Sequence, residues 1–180
     1  MALSELEQKK RRTRNDYTYQ LEYRTRWSDN DMYGHMNNSI YAFLFDSIIN
    51  TYLIENCGLN PFSSRSSSEQ SPDEQLARQG KLQRPPQIGL VVSSFCDFFA
   101  SVSFPDVLEL GLRVTKLGKS SVTYEVGVFR KGEEPVKVVG GFTHVFVDKV
   151  TMKPTSDGMV PAIRKGLERL ALKNNPGSKL

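Results

Sequence analysis

The stretch that most constrains this chain runs from Ser39 to Cys57. Ile40, Leu44 and Ile48 recur at four-residue steps, with Tyr41, Phe45, Ile49 and Leu53 beside them, and this spacing predicts a helix. Its apolar arc is so wide that little is left for water, so the helix is expected to be buried. Asn37 or Asn38 suits the N-cap and Gly58 suits the position after the last turn. At 1.5 Å per residue the helix would be about 28 Å long, enough to span a small domain. Whatever else the chain does, it must cover this helix.

The residues just before it are chemical in character: Arg26-Trp27-Ser28-Asp29-Asn30-Asp31-Met32-Tyr33-Gly34-His35-Met36-Asn37-Asn38. A helix N-terminus presents unpaired N–H groups and a partial positive charge, which can stabilise an anion or a developing oxyanion. Two carboxylates, Asp29 and Asp31, and the imidazole of His35 stand directly upstream. A base or nucleophile, an imidazole and oxyanion donors thus fall within about ten residues, a grouping suited to acyl transfer. Asp29-Asn30-Asp31 also begins like a calcium loop, but Tyr33 and Ile40 occupy its fifth and twelfth positions, where ligands are required. The blander readings are two turn-capping aspartates and a structural histidine.

Arg26-Trp27-Ser28-Asp29-x-Asp31-x-x-Gly34-His35-Met36-Asn37-Asn38-x-x-Tyr41 resembles the entry segment of hotdog-fold acyl-CoA thioesterases of the 4-hydroxybenzoyl-CoA thioesterase type, and that of the plant acyl-carrier-protein thioesterases. The resemblance implies an α+β hotdog fold, a curved antiparallel sheet of about five strands around a long buried helix. It implies hydrolysis of an acyl-CoA thioester, with Asp31 as nucleophile or general base and the amides of Asn37 and Asn38 as oxyanion donors. His35 matches the histidine of the plant enzymes and would orient water or substrate; those enzymes carry an Asn where this chain has Tyr33. Tyr33 and Gly34 join the same segment as substrate-binding candidates. By charge and resemblance, Arg113, Lys116 and Lys119 around Gly118 are candidates for the CoA phosphates. No metal or redox cofactor is implied. The partners implied are an acyl-CoA substrate and further copies of the chain, in a homodimer or homotetramer with sites at subunit interfaces. A hydratase–dehydratase of the same fold and a non-catalytic acyl-CoA binding module are the alternatives.

The rest of the chain supplies the expected sheet. Tyr17 to Trp27 alternates like a first strand. Ile88 to Ala100, Val107 to Leu117, Ser121 to Arg130 and Val136 to Val150 are rich in Val, Phe and Thr, and turns at Pro105, Gly118 and Lys131-Gly132 separate the later ones. Residues 59–86 carry six serines and four prolines and are expected to form a surface insertion, with a short helix capped at Ser71-Pro72-Asp73-Glu74. Val160 to Lys173 reads as a surface helix. The domain is therefore expected over 17–173, with a flexible basic tail at 1–16 and a second tail at 174–180. A total of 180 residues suits one such domain.

Charge and cysteine usage narrow the setting. The 24 basic and 20 acidic residues balance closely, and the excess sits in the first fifteen positions, where five basic residues face two acidic ones. No aromatic-rich basic face or zinc spacing points to nucleic acid. Neither a bilayer-length apolar run nor an apolar N-terminal signal is present. Two cysteines make no disulfide framework and suit a reducing compartment. Cys96, among Phe95, Phe98 and Phe99, reads as a small core residue, and His144 as a strand histidine with a structural partner. Ser178-Lys179-Leu180 reads as a peroxisomal address for the import receptor, with cytoplasm as the alternative location.

Overall fold

The computed structural model describes residues 3–59 and 87–171. Helix α1 spans Glu5–Lys10, α2 spans Asn38–Cys57 and α3 spans Pro161–Leu170. The strands are β1 (Tyr19–Arg24), β2 (Gln87–Phe98), β3 (Val107–Leu117), β4 (Ser121–Arg130) and β5 (Val136–Asp148). They form one antiparallel sheet in the order β1-β3-β4-β5-β2. One helix against such a sheet is the hotdog arrangement. The capping-box helix expected at Ser71, nearly all of the 59–86 insertion and Ser178-Lys179-Leu180 lie outside the described residues. No helix among those described is long and apolar enough to cross a membrane.

The two-residue period of the strands decides what meets α2. Leu108, Leu110 and Leu112 of β3 and Val122, Tyr124 and Val126 of β4 all point to the helix side. Against them α2 lays Leu44, Phe45, Ile48, Ile49 and Tyr52. The helix is less enclosed than its composition suggested. Ala42, Phe43, Asp46 and Ser47 face outward, and Phe43 is 66% exposed. A single protomer wraps the helix from one side only.

The outer side of the sheet corrects a second expectation. Residues 3–16 do not behave as a free tail: α1 and the turn after it strap across the strands. Lys9 pairs with Asp97 at 2.9 Å, Arg12 with Glu125 at 3.0 Å and Arg14 with Glu109 at 2.6 Å. Each basic residue finds a carboxylate that the strand period turns outward. Beneath the strap, the Tyr17 ring lies flat on Gly111 and Gly127, where an added Cβ would come within 2.6 Å and 2.5 Å of it. These two glycines make the ring's seat.

Arg113 belongs to this knot. It is 3% exposed and bonds Glu125 at 2.7 Å, and the Tyr17 hydroxyl donates to the same carboxylate. A buried guanidinium already paired cannot serve the CoA phosphates, so that assignment is withdrawn. Burial and the neighbouring Glu125 push the Tyr17 hydroxyl far above its ordinary range. Removing the carboxylate by Glu125→Ala leaves Arg113 charged and uncompensated. The expected cost is about 3–5 kcal/mol in denaturant unfolding, whereas removing a surface charge such as Glu168 should cost well under 1 kcal/mol.

Candidate active site

The segment before α2 folds into a tight hairpin-like turn. Asn30 bridges Met36, the Asp31 N–H donates to the His35 carbonyl at 2.7 Å, and Gly34 takes a left-handed φ of +75°. Only that glycine lets the chain reverse within five residues. The turn is anchored to the connection between β2 and β3 by the Met36 N–H on the Val102 carbonyl, and Thr25, just ahead of the segment, donates its N–H to the Asp106 carbonyl.

The two aspartates separate cleanly. Asp29 is buried; its Oδ2 accepts from the Arg26 N–H at 2.7 Å and from the Tyr23 hydroxyl at 3.0 Å. Its carbonyl accepts the Asn37 N–H at 2.8 Å. Asp29 therefore holds the turn against the helix. Asp31 is half-buried, and its Oδ1 accepts the N–H groups of Tyr33 at 2.8 Å and His35 at 3.2 Å. These bonds fix the carboxylate, while Oδ2 has no partner among the described residues.

The helix start narrows the oxyanion expectation. Asn37 is the N-cap, and its side-chain oxygen accepts from the N–H and hydroxyl of Ser39. Because the Asn37 N–H is committed to Asp29, it is not available to an oxyanion. The N–H of Asn38, the first helical residue, has no acceptor among the described residues. Asn37 is thus a capping residue, and of the two only Asn38 has an N–H without an acceptor among the described residues.

Asp31, His35 and Asn38 line one pocket of about 450 Å³ at the head of α2. Its other walls include Tyr41, Phe98 and Ser101, and the two rings meet edge-to-face at 5.3 Å. Tyr33 and Gly34 do not line it: Tyr33 is 76% exposed and Gly34 serves the turn. Lys116 and Lys119 are exposed but stand at the far end of β3, about 30 Å from the Asp31 end by strand rise. They do not reach the pocket of their own protomer. Phe98 and Ser101 went unnoticed in the sequence because nothing local marks the end of β2 as lying beside the Asp31 turn.

Two other candidates are settled by burial. Cys96 is pushed up to about 12, by burial first and by Asp97 second, so its thiol is no nucleophile at neutral pH. His144 has no hydrogen-bond partner on either ring nitrogen among the described residues, contrary to the expected structural partner. Burial lowers its pKa from 6.5 to about 4. Among the described residues, no three His, Cys, Asp or Glu side chains converge as a metal site.

Two outcomes are expected. Asp29→Asn should lower stability by about 1 kcal/mol, read from the unfolding midpoint, by weakening the cap of the turn. For His144 the folded pKa lies below the unfolded one, so the unfolded chain takes up the proton first as pH falls. Its contribution to stability is complete above pH 6.5 and is lost between pH 6.5 and about 4. A well-folded His144→Phe should accordingly lose less stability than the parent between pH 7 and pH 4.5.

The chain matches the family model described as the thioesterase superfamily over residues 33–137. Among solved structures it is similar to the PA5185 protein of Pseudomonas aeruginosa strain PAO1. Identity is 39%, coverage is 88% of this chain and 95% of that one, and the TM-score is 0.70. A Thermus thermophilus thioesterase, solved with coenzyme A and Zn, shares the fold at 20% identity, covering 89% and 96% of the two chains with a TM-score of 0.58. So does Slr0204, a 1,4-dihydroxy-2-naphthoyl-CoA thioesterase from Synechocystis, at 15% identity, 82% and 92% coverage and a TM-score of 0.57. No curated protein sequence matches. With more than half its length in the family model and its turn, sheet and helix in the hotdog arrangement, the chain belongs to the thioesterase superfamily and is a thioester hydrolase.

Proposed function

We propose that the thioester is an acyl-CoA, hydrolysed to free acid and CoA at the head of α2. One observation carries the chemistry: a single pocket holds a fixed carboxylate, Asp31, beside a helix N-terminus whose Asn38 N–H is uncommitted. The carbonyl oxygen of the substrate sits at Asn38, and the negative charge of the tetrahedral intermediate is stabilised there. Asp31 Oδ2 either attacks the carbonyl carbon, giving an anhydride that water then opens, or takes a proton from the attacking water. In both routes the C–S bond breaks, and CoA leaves as a thiolate that is protonated by solvent. His35 stands at the pocket wall, where it orients water or the carbonyl. The Thermus thioesterase solved with coenzyme A and the Synechocystis CoA thioesterase support the choice of substrate.

The assembly proposed is a dimer, or a tetramer built from two such dimers. β2 is an edge strand with Val91 and Val92 exposed, the latter at 59%, and an uncovered apolar edge favours pairing with another strand. Antiparallel pairing of two copies about the exposed run Val91 to Ser94 places Phe98 of one strand opposite Gln87 of the other. The Asp31 pocket then lies against a second copy, whose exposed Lys116 and Lys119 are candidates for the CoA phosphates. For location the proposal is the peroxisome, on Ser178-Lys179-Leu180, with cytoplasm as the alternative.

Thiol release from acyl-CoA, followed with a thiol reagent, separates hydrolysis from hydration and from mere binding. Asp31→Asn keeps the size of the side chain and removes its charge. Turnover should fall by roughly two to four powers of ten with little change in acyl-CoA binding. A folded Asp31→Asn enzyme with near-parental turnover would refute the site. Sedimentation should show an even-numbered oligomer, and a stable active monomer at micromolar concentration contradicts the pairing. Masking the last three residues with a C-terminal tag should abolish peroxisomal import.

A further inference from the structure

Between β5 and α2 the structure buries an imidazole that has no hydrogen-bond partner among the described residues. His144 is 3% exposed and sits between Phe142 and Phe146 on the helix side of β5. Neither Nδ1 nor Nε2 has a hydrogen-bond partner among the described residues. A buried polar group left unpaired costs about 1–3 kcal/mol, and a valine or phenylalanine here would avoid that cost. The ring also borders a small cavity of about 60 Å³, whose walls include Asn50, Leu53, Ile88, Gly89 and Lys149. Gly89 keeps space open on the Nδ1 side: a Cβ there would stand 2.9 Å from Nδ1 and 3.3 Å from the Phe146 ring.

The position of this cavity matters as much as its chemistry. Within one protomer it lies twelve residues along α2 from Asn38, about 18 Å from the thioester position by helix rise. Pairing of two β2 edges about Val91 to Ser94 brings it much nearer. The Gln87–Gly89 end of one copy then meets the Phe98 end of the other, so a cavity holding His144 abuts a pocket holding Asp31.

We propose that His144, with the space left by Gly89, reads a hydroxyl on the acyl group of the substrate held at the other copy's Asp31. This rests on the acyl-CoA reading above and narrows it to acyl groups that carry a neutral hydrogen-bonding substituent. A neutral imidazole has one donor and one acceptor nitrogen, so it can pair with a hydroxyl in either sense. The surrounding Phe142, Phe146, Leu53 and Ile88 side chains hold the ring neutral, which disfavours an anionic substituent. Lys149 at the cavity wall is exposed, so water screens its charge, and Asn50 on α2 adds an uncharged polar side chain from the helix. A site built to hydrogen-bond a substrate hydroxyl discriminates strongly against the analogue that lacks it.

The test is a ratio of kcat/KM values, measured by thiol release, for paired substrates. The pairs are hexanoyl-, decanoyl- and benzoyl-CoA, each against forms hydroxylated at the chain terminus or on the ring. The parent should favour the hydroxylated member of at least one pair by about tenfold to a hundredfold. His144→Phe should bring that ratio to near one, and His144→Gln, which keeps hydrogen-bonding capacity, should retain part of it. Gly89→Ala, which crowds Nδ1, gives an independent loss of the ratio should the phenylalanine variant not fold. A ratio near one for every pair in the parent overturns the inference, as does a ratio that survives both His144→Phe and Gly89→Ala. An absence of thiol release from all CoA thioesters overturns the acyl-CoA reading and this inference with it. Turnover without discrimination overturns this inference alone.

Discussion

The bond from the Asn37 N–H to the Asp29 carbonyl is the joint on which the site depends. It welds the acidic turn to the N-cap of α2, so that the turn and helix move as one piece. Asp29 is consumed in that joint, through its own carboxylate on Arg26 and Tyr23. Asp31 is then presented, with one oxygen held by two backbone amides and the other open. Two aspartates two residues apart thus have different tasks, because one lies inside the turn and the other on its rim.

The joint is rigid only because α2 is. The helix is seated on alternate residues of β3, β4 and β5, and it fills that side of the sheet with Leu44, Phe45, Ile48 and Ile49. Burying each such side chain stabilises the fold by roughly 1.5–3 kcal/mol, far more than any single contact in the turn. The opposite side of the sheet is closed differently, by ion pairs from the N-terminal strap and by Tyr17 on two glycines. A charged face with a buried Arg113–Glu125 pair is an uncommon way to cover a sheet, since breaking such a pair costs more than forming it yields. Its presence explains why Arg113 is absent from the substrate site.

The protomer is visibly unfinished at two places, the outward face of α2 around Phe43 and the edge of β2 around Val92. Phe43 borders a second pocket with Tyr23, Arg26 and Asp29, on the β1 side, whereas the β2 strand ends at Phe98 in the wall of the Asp31 pocket. Pairing at β2 offers one explanation for both the exposed edge and the pocket's partial walls.

By itself, the amino-acid order determined what is local and periodic. The helix of α2, its cap at Asn37 or Asn38 and its Gly58 stop, and β3 and β4 follow from patterns of two and 3.6 residues and from capping preferences, which act over a few neighbours. The choice of Asp31 over Asp29 rested on the motif. Tertiary structure alone decided which charges are free. Arg113, Lys116 and Lys119 look alike in sequence, but strand parity buries the first and strand length carries the others away from the pocket. The strap of residues 3–16 was illegible because its ion-pair partners are separated from it by about a hundred positions, from Asp97 to Glu125. The fate of the Asn37 amide was hidden for a related reason. A hydrogen bond between two residues eight apart in an irregular turn has no period to announce it, and only the folded backbone brings its donor and acceptor together.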